Sequence, residues 1–359
     1  MSHLRDRRLA PDSSGVRRRG LRTSRSSARE EGDARNSVII KIPKFMRAAA
    51  IDRFGGPEVL TLHSLPVPVP DPQEVLIRLH TAGVGGWDAD MRGGWWPEGQ
   101  PHFPFVPGTD GAGTIVAVGS RVRRLNIGDE VYAYSFNNPK GGFYAEYVVV
   151  PANYAAPIPE GLDLKRAGAI PTTGLTALQG VDNALRLNAV KTVLIHGASG
   201  GVGTLAVQFA KLRGARVLAT ASGADGVALV RRLGADVVVD GRTEDIVAAA
   251  RLFARNGVDA VLALAGGKQL TRCLDALRKG GRLAYPNGIE PVPRKRNGIE
   301  FLSYDAVPGV DEFRRLGNAA ARARLKVPIA ETFKLTEAAK AHERLAAGHV
   351  VGKIVLRIH

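Results

Sequence analysis

Three small residues at a fixed spacing, Ala198, Gly200 and Gly203, mark the place in this 359-residue chain where chemistry is easiest to read. With Ser199, Gly201 and Val202 they form the turn HGASGGVG. It follows the apolar, β-branched run 192–196 and precedes a helical pattern carrying Leu205, Val207, Phe209 and Leu212. Strand, glycine turn and helix in that order make the unit that holds a dinucleotide. The backbone N–H groups of the turn approach the pyrophosphate, and the positive end of the helix faces its charge. Alanine at the first of the three positions still permits a tight turn, though less freely than glycine. A glycine-rich loop with no ligand is the plain alternative, and the complete strand–helix–strand context weighs against it.

The strand that follows, starting at 217, discriminates between cofactors. An acidic residue at its end would bind the ribose hydroxyls of NAD and repel a 2′-phosphate. Here the strand end reads Thr220, Ala221, Ser222, with no acid. Ser222 can donate to a phosphate, and Arg242, beyond the next strand 237–240, can reach it. Asp225 lies nearby and argues mildly for NAD. The missing acid makes NADP(H) the expected cofactor.

The elements around this unit fall into two kinds. From 46 to about 150 short strands alternate with turns, at 47–52, 74–81 (Val75, Ile77 and Leu79 on one face), 114–118, 130–133 and 145–150. Such spacing predicts a small β-barrel. After Pro159 a helix is expected over 164–185, leading into the glycine turn. Strands at 237–240, 260–265 and 282–286 then alternate with helices, one starting at 243 and one ending at 277, with Gly280 and Gly281 as a helix stop. That alternation predicts a doubly wound parallel sheet with helices on both faces. A helix over 336–347, Gly348 and a strand over 353–358 close the chain. The fold class is therefore α/β, with a second, β-rich domain.

The formal net charge is +16, but it is uneven. Residues 1–45 hold 12 Lys and Arg against five acids, show no periodicity and are read as a disordered basic extension. An upstream start codon wrongly chosen, a true basic tail and a targeting peptide compete to explain it. Glu30, Glu31 and Asp33 count against the last, and Met46 is a plausible natural start. No specific nucleic-acid role is expected of the folded part. No apolar run approaches the roughly 20 residues that span a bilayer, so no membrane role is expected either. The single cysteine, Cys273, excludes an intramolecular disulfide and a thiolate metal cluster, and it suits a reducing cytoplasm.

Several further motifs carry a resemblance. They are MRAAAIDRFGGPEVLTLHSLPVPVP from Met46, PFVPGTDGAGTIVAVGS from Pro104, GDEVYA from Gly128 and GGFYAEYVVVP from Gly141. AGAIPTTGLTAL from Ala167, LGADVVVD from Leu233 and GHVVGKIVL from Gly348 complete the set. Across residues 46–359 the chain resembles the medium-chain dehydrogenase/reductase superfamily, in its zinc-independent quinone oxidoreductase branch. The resemblance implies a GroES-like catalytic barrel made from 46–166 and 308–359, with a Rossmann cofactor domain, 167–307, inserted between. It also implies a homodimer paired through an edge strand near 300–304.

Zinc-dependent members place a cysteine in A-G-V-C-x-x-D; this chain has Gly85 there, ahead of Trp87 and Asp88. They place a His-Glu pair where Gly108 is followed here by Thr109 and Asp110. Neither Gly85 nor Thr109 can supply the Cys, His or carboxylate that zinc takes, so no metal is expected, and Asp88 and Asp110 are read as turn hydrogen-bond acceptors. Without a Lewis acid the accessible chemistry is hydride addition to an already electrophilic quinone or α,β-unsaturated carbonyl, with NADPH as donor. The resemblance places Thr173 and Thr176 beside the nicotinamide carboxamide, with helix capping as the plain alternative. It places Gly85, Trp87, Met91, Trp95 and Trp96 at the cleft entrance, where an aromatic wall would stack on a flat substrate or simply pack. Tyr134 and Tyr144 are the candidate proton donors, with solvent as the alternative. Two rival functions stay open. One is an enoyl-thioester reductase, with Arg294, Lys295 and Arg296 facing the CoA phosphates. The other is a low-turnover NADPH-binding sensor.

Overall fold

The run 192–196 alternates its side chains between two apolar surfaces, and this sets the layering of the cofactor lobe. The computed structural model describes residues 41–96, 99 and 101–359; the expected extension 1–45 lies almost wholly outside them. Val193 and Ile195 pack with Leu205, Val207 and Phe209 on one face. Leu194 packs with Leu218, Ile246, Ala250 and Phe253 on the other. Each of these is fully or nearly fully buried, which contributes roughly 1.5–3 kcal/mol for each large side chain. A strand dressed this way needs helices on both sides.

It has them. The strand Thr192–His196 sits in a six-stranded sheet ordered Val237–Asp240, Arg216–Ala221, Thr192–His196, Val258–Ala263, Leu277–Pro286, Glu300–Tyr304, with every pairing parallel. The order reverses between Thr192–His196 and Val258–Ala263. Ligands of such sheets bind at that switch, beyond the carboxyl ends of the strands, and the glycine turn leaves the sheet there.

The second lobe is built around the long strand Glu74–Val84. It pairs antiparallel with Asp110–Val118, Tyr147–Pro151 and Lys353–Arg357. Its alternating residues Val75, Ile77 and Leu79 are buried. The strand Lys353–Arg357 also pairs in parallel with Ile329–Lys334, joined by the helix Ala338–Ala346. The chain thus leaves the barrel, builds the cofactor sheet and returns to finish the barrel. On that return the Gly352 N–H donates to the Ser199 carbonyl at 2.8 Å, and Gly352 forms a parallel bridge with Gly200.

Three local expectations need correction. The helix over 164–185 is broken into Leu164–Ala167, Pro171–Gln179 and a π-helical turn, Gly180–Ala184. Pro171 starts the second piece, at the first helical position, where its missing N–H costs no hydrogen bond. Gly280 and Gly281 do not stop a helix. The helix Lys268–Asp275 has already ended, and both glycines lie in the strand Leu277–Pro286, Gly280 at φ +73°. The helix expected from 243 begins at Ile246, where the Asp245 carboxylate accepts from Val247 and Ala248 N–H. The elements not anticipated include the strand Ile329–Lys334 and the helices Gly86–Gly93, Gly223–Arg232 and Val310–Ala323. The last helix follows the expected 307/308 boundary yet touches both lobes. Phe313 meets the barrel's Tyr132 edge-to-face at 5.0 Å. Leu316 lies 2.9 Å from where a Cβ on Gly174 would stand.

Candidate active site

The glycine turn has its left-handed residue at Gly197 (φ +78°), while Ala198 donates its N–H to Thr220 O at 2.9 Å. Alanine at the first fingerprint position therefore carries no strain. Gly203 has a different duty. A Cβ there would stand 2.6 Å from Ala198 Cα, so only glycine lets the helix Gly201–Leu212 pack this close to the strand. A methyl on Gly200, by contrast, would have Gly197 O as its nearest neighbour, at 3.7 Å. The opening lies at the helix N-terminus, whose unpaired N–H groups and dipole suit a pyrophosphate. Val202 is partly exposed beside it and Ser199 is buried. Beneath the turn His196 accepts or donates at Thr220 Oγ1 (2.7 Å), its Nε2 is buried without a partner, and burial pulls its pKa down to about 4.

At the carboxyl end of the strand Arg216–Ala221 the structure brings Ser222 and Arg242 together. Ser222 begins the helix Gly223–Arg232 without spending its hydroxyl on a cap. Arg242 Nη2 lies 2.5 Å from the Cβ position of Gly223, and its backbone N–H donates to Asp240 Oδ1 at 3.0 Å. His349 arrives from the last segment of the chain. Its Cε1 is 3.2 Å from the same Cβ position, and its Nε2 is 3.2 Å from Asp225 Oδ2. Sequence reading missed His349, whose separation from Ser222 along the chain hides the contact.

Nearer the expected nicotinamide, Thr173 and Thr176 are buried, and their hydroxyls donate to Ala169 O and Thr172 O at 2.8 Å. These are bonds back to the preceding helical turn rather than caps, and the oxygen lone pairs stay available. Thr172 was not anticipated. Its N–H donates to Asp110 Oδ2 at 2.9 Å, and its Oγ1 is buried with no partner.

The barrel side of the cleft is polar in a directed way. Arg92 can only donate, so at 2.9 Å it makes His342 Nδ1 an acceptor. His342 is therefore neutral with its proton on Nε2, in keeping with a pKa lowered to about 3 by burial and then by Arg92. Nε2–H then donates to the Tyr144 hydroxyl (3.0 Å), and Tyr144 donates to Asp88 Oδ2 (3.3 Å), which also accepts from Gly85 N–H at 2.8 Å. Tyr144 is fully buried, and burial followed by the Asp88 charge holds its pKa well above 10. Asp88 Oδ1 and Asp110 Oδ1 are buried and unpartnered. Burial raises the Asp88 pKa to about 7, opposed by the charge of Lys353. Tyr134 is also buried, and burial with the nearby Asp110 charge raises its pKa strongly.

Above this cluster stand the aromatics. Trp87 meets Trp95 at 5.2 Å and Phe136 at 5.4 Å, both edge-to-face. It also faces Gly288 of the other lobe, whose Cβ position is 3.6 Å from Trp87 Cζ2. Trp96 packs instead on Phe105 at 4.9 Å, and Met91 is 2 % exposed, inside the barrel. The structure gathers Gly85, Trp87 and Trp95 and sets Trp96 and Met91 apart.

Comparison with known proteins agrees with this layout. The alcohol dehydrogenase GroES-like domain family matches residues 71–160, and the zinc-binding dehydrogenase family matches residues 233–356. The quinone oxidoreductase of Mus musculus is 33% identical over 328 residues, covering 87% of this chain and 98% of the mouse protein. The chain belongs to the medium-chain dehydrogenase/reductase superfamily, in its quinone oxidoreductase branch. Among solved structures of this superfamily, an NAD-dependent alcohol dehydrogenase superposes with a TM-score of 0.81 at 32% identity, covering 88% of this chain and all of that one. A mycobacterial protein complexed with NADPH gives 0.78 at 29%, covering 87% and 100%.

As an oxidoreductase of this branch, the chain offers a nicotinamide dinucleotide a fitting bed: the opening at Gly200, the unpartnered Thr172 hydroxyl and the Ser222–Arg242 pair. It does not offer zinc one. Asp88 Oδ2 and Asp110 Oδ2 are committed to Gly85 and Thr172 N–H, and Gly85 has no side chain. The place a side chain at 85 would take is flanked by Lys353 Nζ, at 3.4 Å from the Cβ position. A lysine ammonium there repels a divalent cation. Sequence reading missed Lys353, although GHVVGKIVL contains it; nothing local says that its side chain crosses to Gly85.

Proposed function

We propose that this oxidoreductase transfers a hydride from NADPH to a quinone or an α,β-unsaturated carbonyl without a metal ion. One observation carries the reading: Lys353 runs from the nucleotide turn, past Thr173, to the space left at Gly85, where an ammonium suits an oxyanion and not zinc, and Trp87 two residues on packs with Trp95 and Phe136. A flat, electron-poor substrate suits such an aromatic cluster. NADPH supplies the hydride. The residues of the chain orient the ring, through Thr172, Thr173 and Thr176, and exclude water through the aromatic wall. Ser222, Arg242 and His349 gather hydrogen-bond donors and positive charge beside Gly223, which supports NADPH over NADH, although Asp240 accepts from Gly223 N–H at 3.0 Å and lies 3.5 Å from Arg242 Nε.

The test is oxidation of NADPH and NADH, with chelator present, across quinones, enones and enoyl thioesters. Chelator-resistant turnover with quinones or enones and preference for NADPH are expected. Tight NADPH binding without turnover on any acceptor would move the chain to the sensor reading. No observation favours the thioester reading: Arg296 is tied to Asp275 at 2.6 Å. We also propose a homodimer through the outer edge of Glu300–Tyr304. A monomer in sedimentation at working concentration would remove it.

A further inference from the structure

Lys353 is 8 % exposed, yet among the described residues no carboxylate oxygen lies within 4.0 Å of its ammonium and no side chain or carbonyl accepts from it. Its nitrogen is not sealed in the interior, and an ammonium that solvent reaches but no protein group accepts from is free to take a ligand. The stem shows where that ligand would sit. Lys353 begins the last barrel strand directly after Gly352, which is bonded to the nucleotide turn. Its Cδ lies 3.3 Å from the Cβ position of Gly201, beside Thr173 Cγ2 at 3.5 Å, and its Cε lies 3.0 Å from the Cβ position of Gly83. The side chain thus runs past the helix N-terminus and ends in front of Gly85. There Nζ and Asp88 Oδ2 lie 3.4 and 3.7 Å from one point, the place of the side chain that Gly85 lacks.

We propose that Lys353 is a catalytic residue, whose ammonium holds the substrate oxygen at the Gly85 gap and gives it a proton as hydride arrives. This rests on the hydride-transfer reading above. The hydride forms a C–H bond on the substrate and the electron pair of the π bond it displaces moves to the oxygen. That oxygen takes a proton from Nζ, leaving an amine, while the nucleotide is oxidised. Solvent returns the proton to Nζ once product leaves. Asp88 and Asp110, each with a buried unpartnered oxygen, line the same space without bonding to the lysine nitrogen. Preorganised donors of this kind act most strongly where water is excluded.

The test compares wild type with Lys353→Met and Lys353→Arg. Because Lys353→Met leaves two buried carboxylates beside no cation, the pair Asp88→Asn with Lys353→Met is made as well. The first readout needs no nucleotide and no turnover: p-nitrophenol is titrated spectroscopically on the apoprotein. The wild type is expected to lower the bound phenol's titration midpoint by about one pH unit or more, and Lys353→Met and the double variant to abolish that shift. The second readout is kinetic. The Lys353→Met kcat is expected to fall roughly 100-fold or more, with the NADPH Kd within about threefold and partial rescue by Lys353→Arg. An unshifted phenol in wild type, or an equal shift in the variants, overturns the proposal. So does a rise of the NADPH Kd with kcat unchanged, which would make Lys353 a nucleotide ligand. If the phenolate shift is present but no quinone or enone is reduced by wild type, the hydride-transfer reading fails and the oxyanion site stands.

Discussion

A Cβ on Gly203 would stand 2.6 Å from the Cα of Ala198, whereas one on Gly200 would meet nothing closer than 3.7 Å. Two glycines of one turn therefore do different work, one for packing and one for access. Gly203→Ala forces the helix Gly201–Leu212 away from its strand and should cost about 1–3 kcal/mol, lowering Tm by roughly 3–10 °C. Gly200→Ala should leave Tm within about 2 °C and weaken NADPH binding tenfold or more. Thermal unfolding and fluorescence titration separate the two; equal Tm losses would contradict the division of roles.

Arg242 over Gly223 gives the proposed NADPH preference a location. A charged hydrogen bond is worth about 1.5–3 kcal/mol, so Arg242→Ala should weaken NADPH roughly 10–100-fold while leaving the NADH Kd nearly unchanged. His349→Ala should act in the same direction more weakly, since His349 also faces Asp225. Parallel weakening of both nucleotides would place Arg242 elsewhere in the site.

Asp88 makes stability depend on pH in a direction opposite to that of an ion-paired carboxylate. Its pKa is raised to about 7 in the folded chain, from 3.8. Between those values the folded state keeps a proton that the unfolded state has released. Its contribution therefore becomes unfavourable as pH rises from about 4 to about 7, and is constant above. Asp88→Asn stays neutral throughout. Denaturant unfolding should show the variant gaining on wild type by on the order of a few kcal/mol between pH 5 and pH 8. A constant difference across that range would show that Asp88 is ionised throughout.

Trp87 touches Trp95, Phe136 and the Gly288 turn. Trp87→Ala should raise KM for a polycyclic quinone roughly threefold to tenfold, the worth of one aromatic contact, and raise it less for a short acyclic enone. Equal effects on both would make Trp87 a packing residue.

Much of this was legible because local pattern and final position coincide. The run 192–196 alternates so strictly that both faces of the sheet can be read from five residues, and the glycine turn is contiguous. Phe313, Leu316, Ala319 and Ala320 also recur at helical spacing and are buried, so the helix Val310–Ala323 was within reach of the same reasoning. The polar cluster was not. Gly85, Asp88, Tyr144, His342 and Lys353 meet only because strand pairing draws Lys353–Arg357 against Thr81–Val84. Asp88 accepts a local backbone N–H, as a turn carboxylate would, but Asp110 stands in a strand and accepts from Thr172, far along the chain, so its expected turn role does not hold. Tyr144 could be picked as a phenol near the cleft. That its proton is aimed at Asp88 follows from Arg92, which the sequence gives no reason to associate with it.

The bond from Gly352 to Ser199 places an ordering on how the molecule is made. The nucleotide turn emerges during synthesis well before the segment that seals it, so a nascent chain can fold its central sheet and still lack His349 and Lys353. Ser199 O therefore gains its Gly352 partner only once the chain has been translated through residue 352.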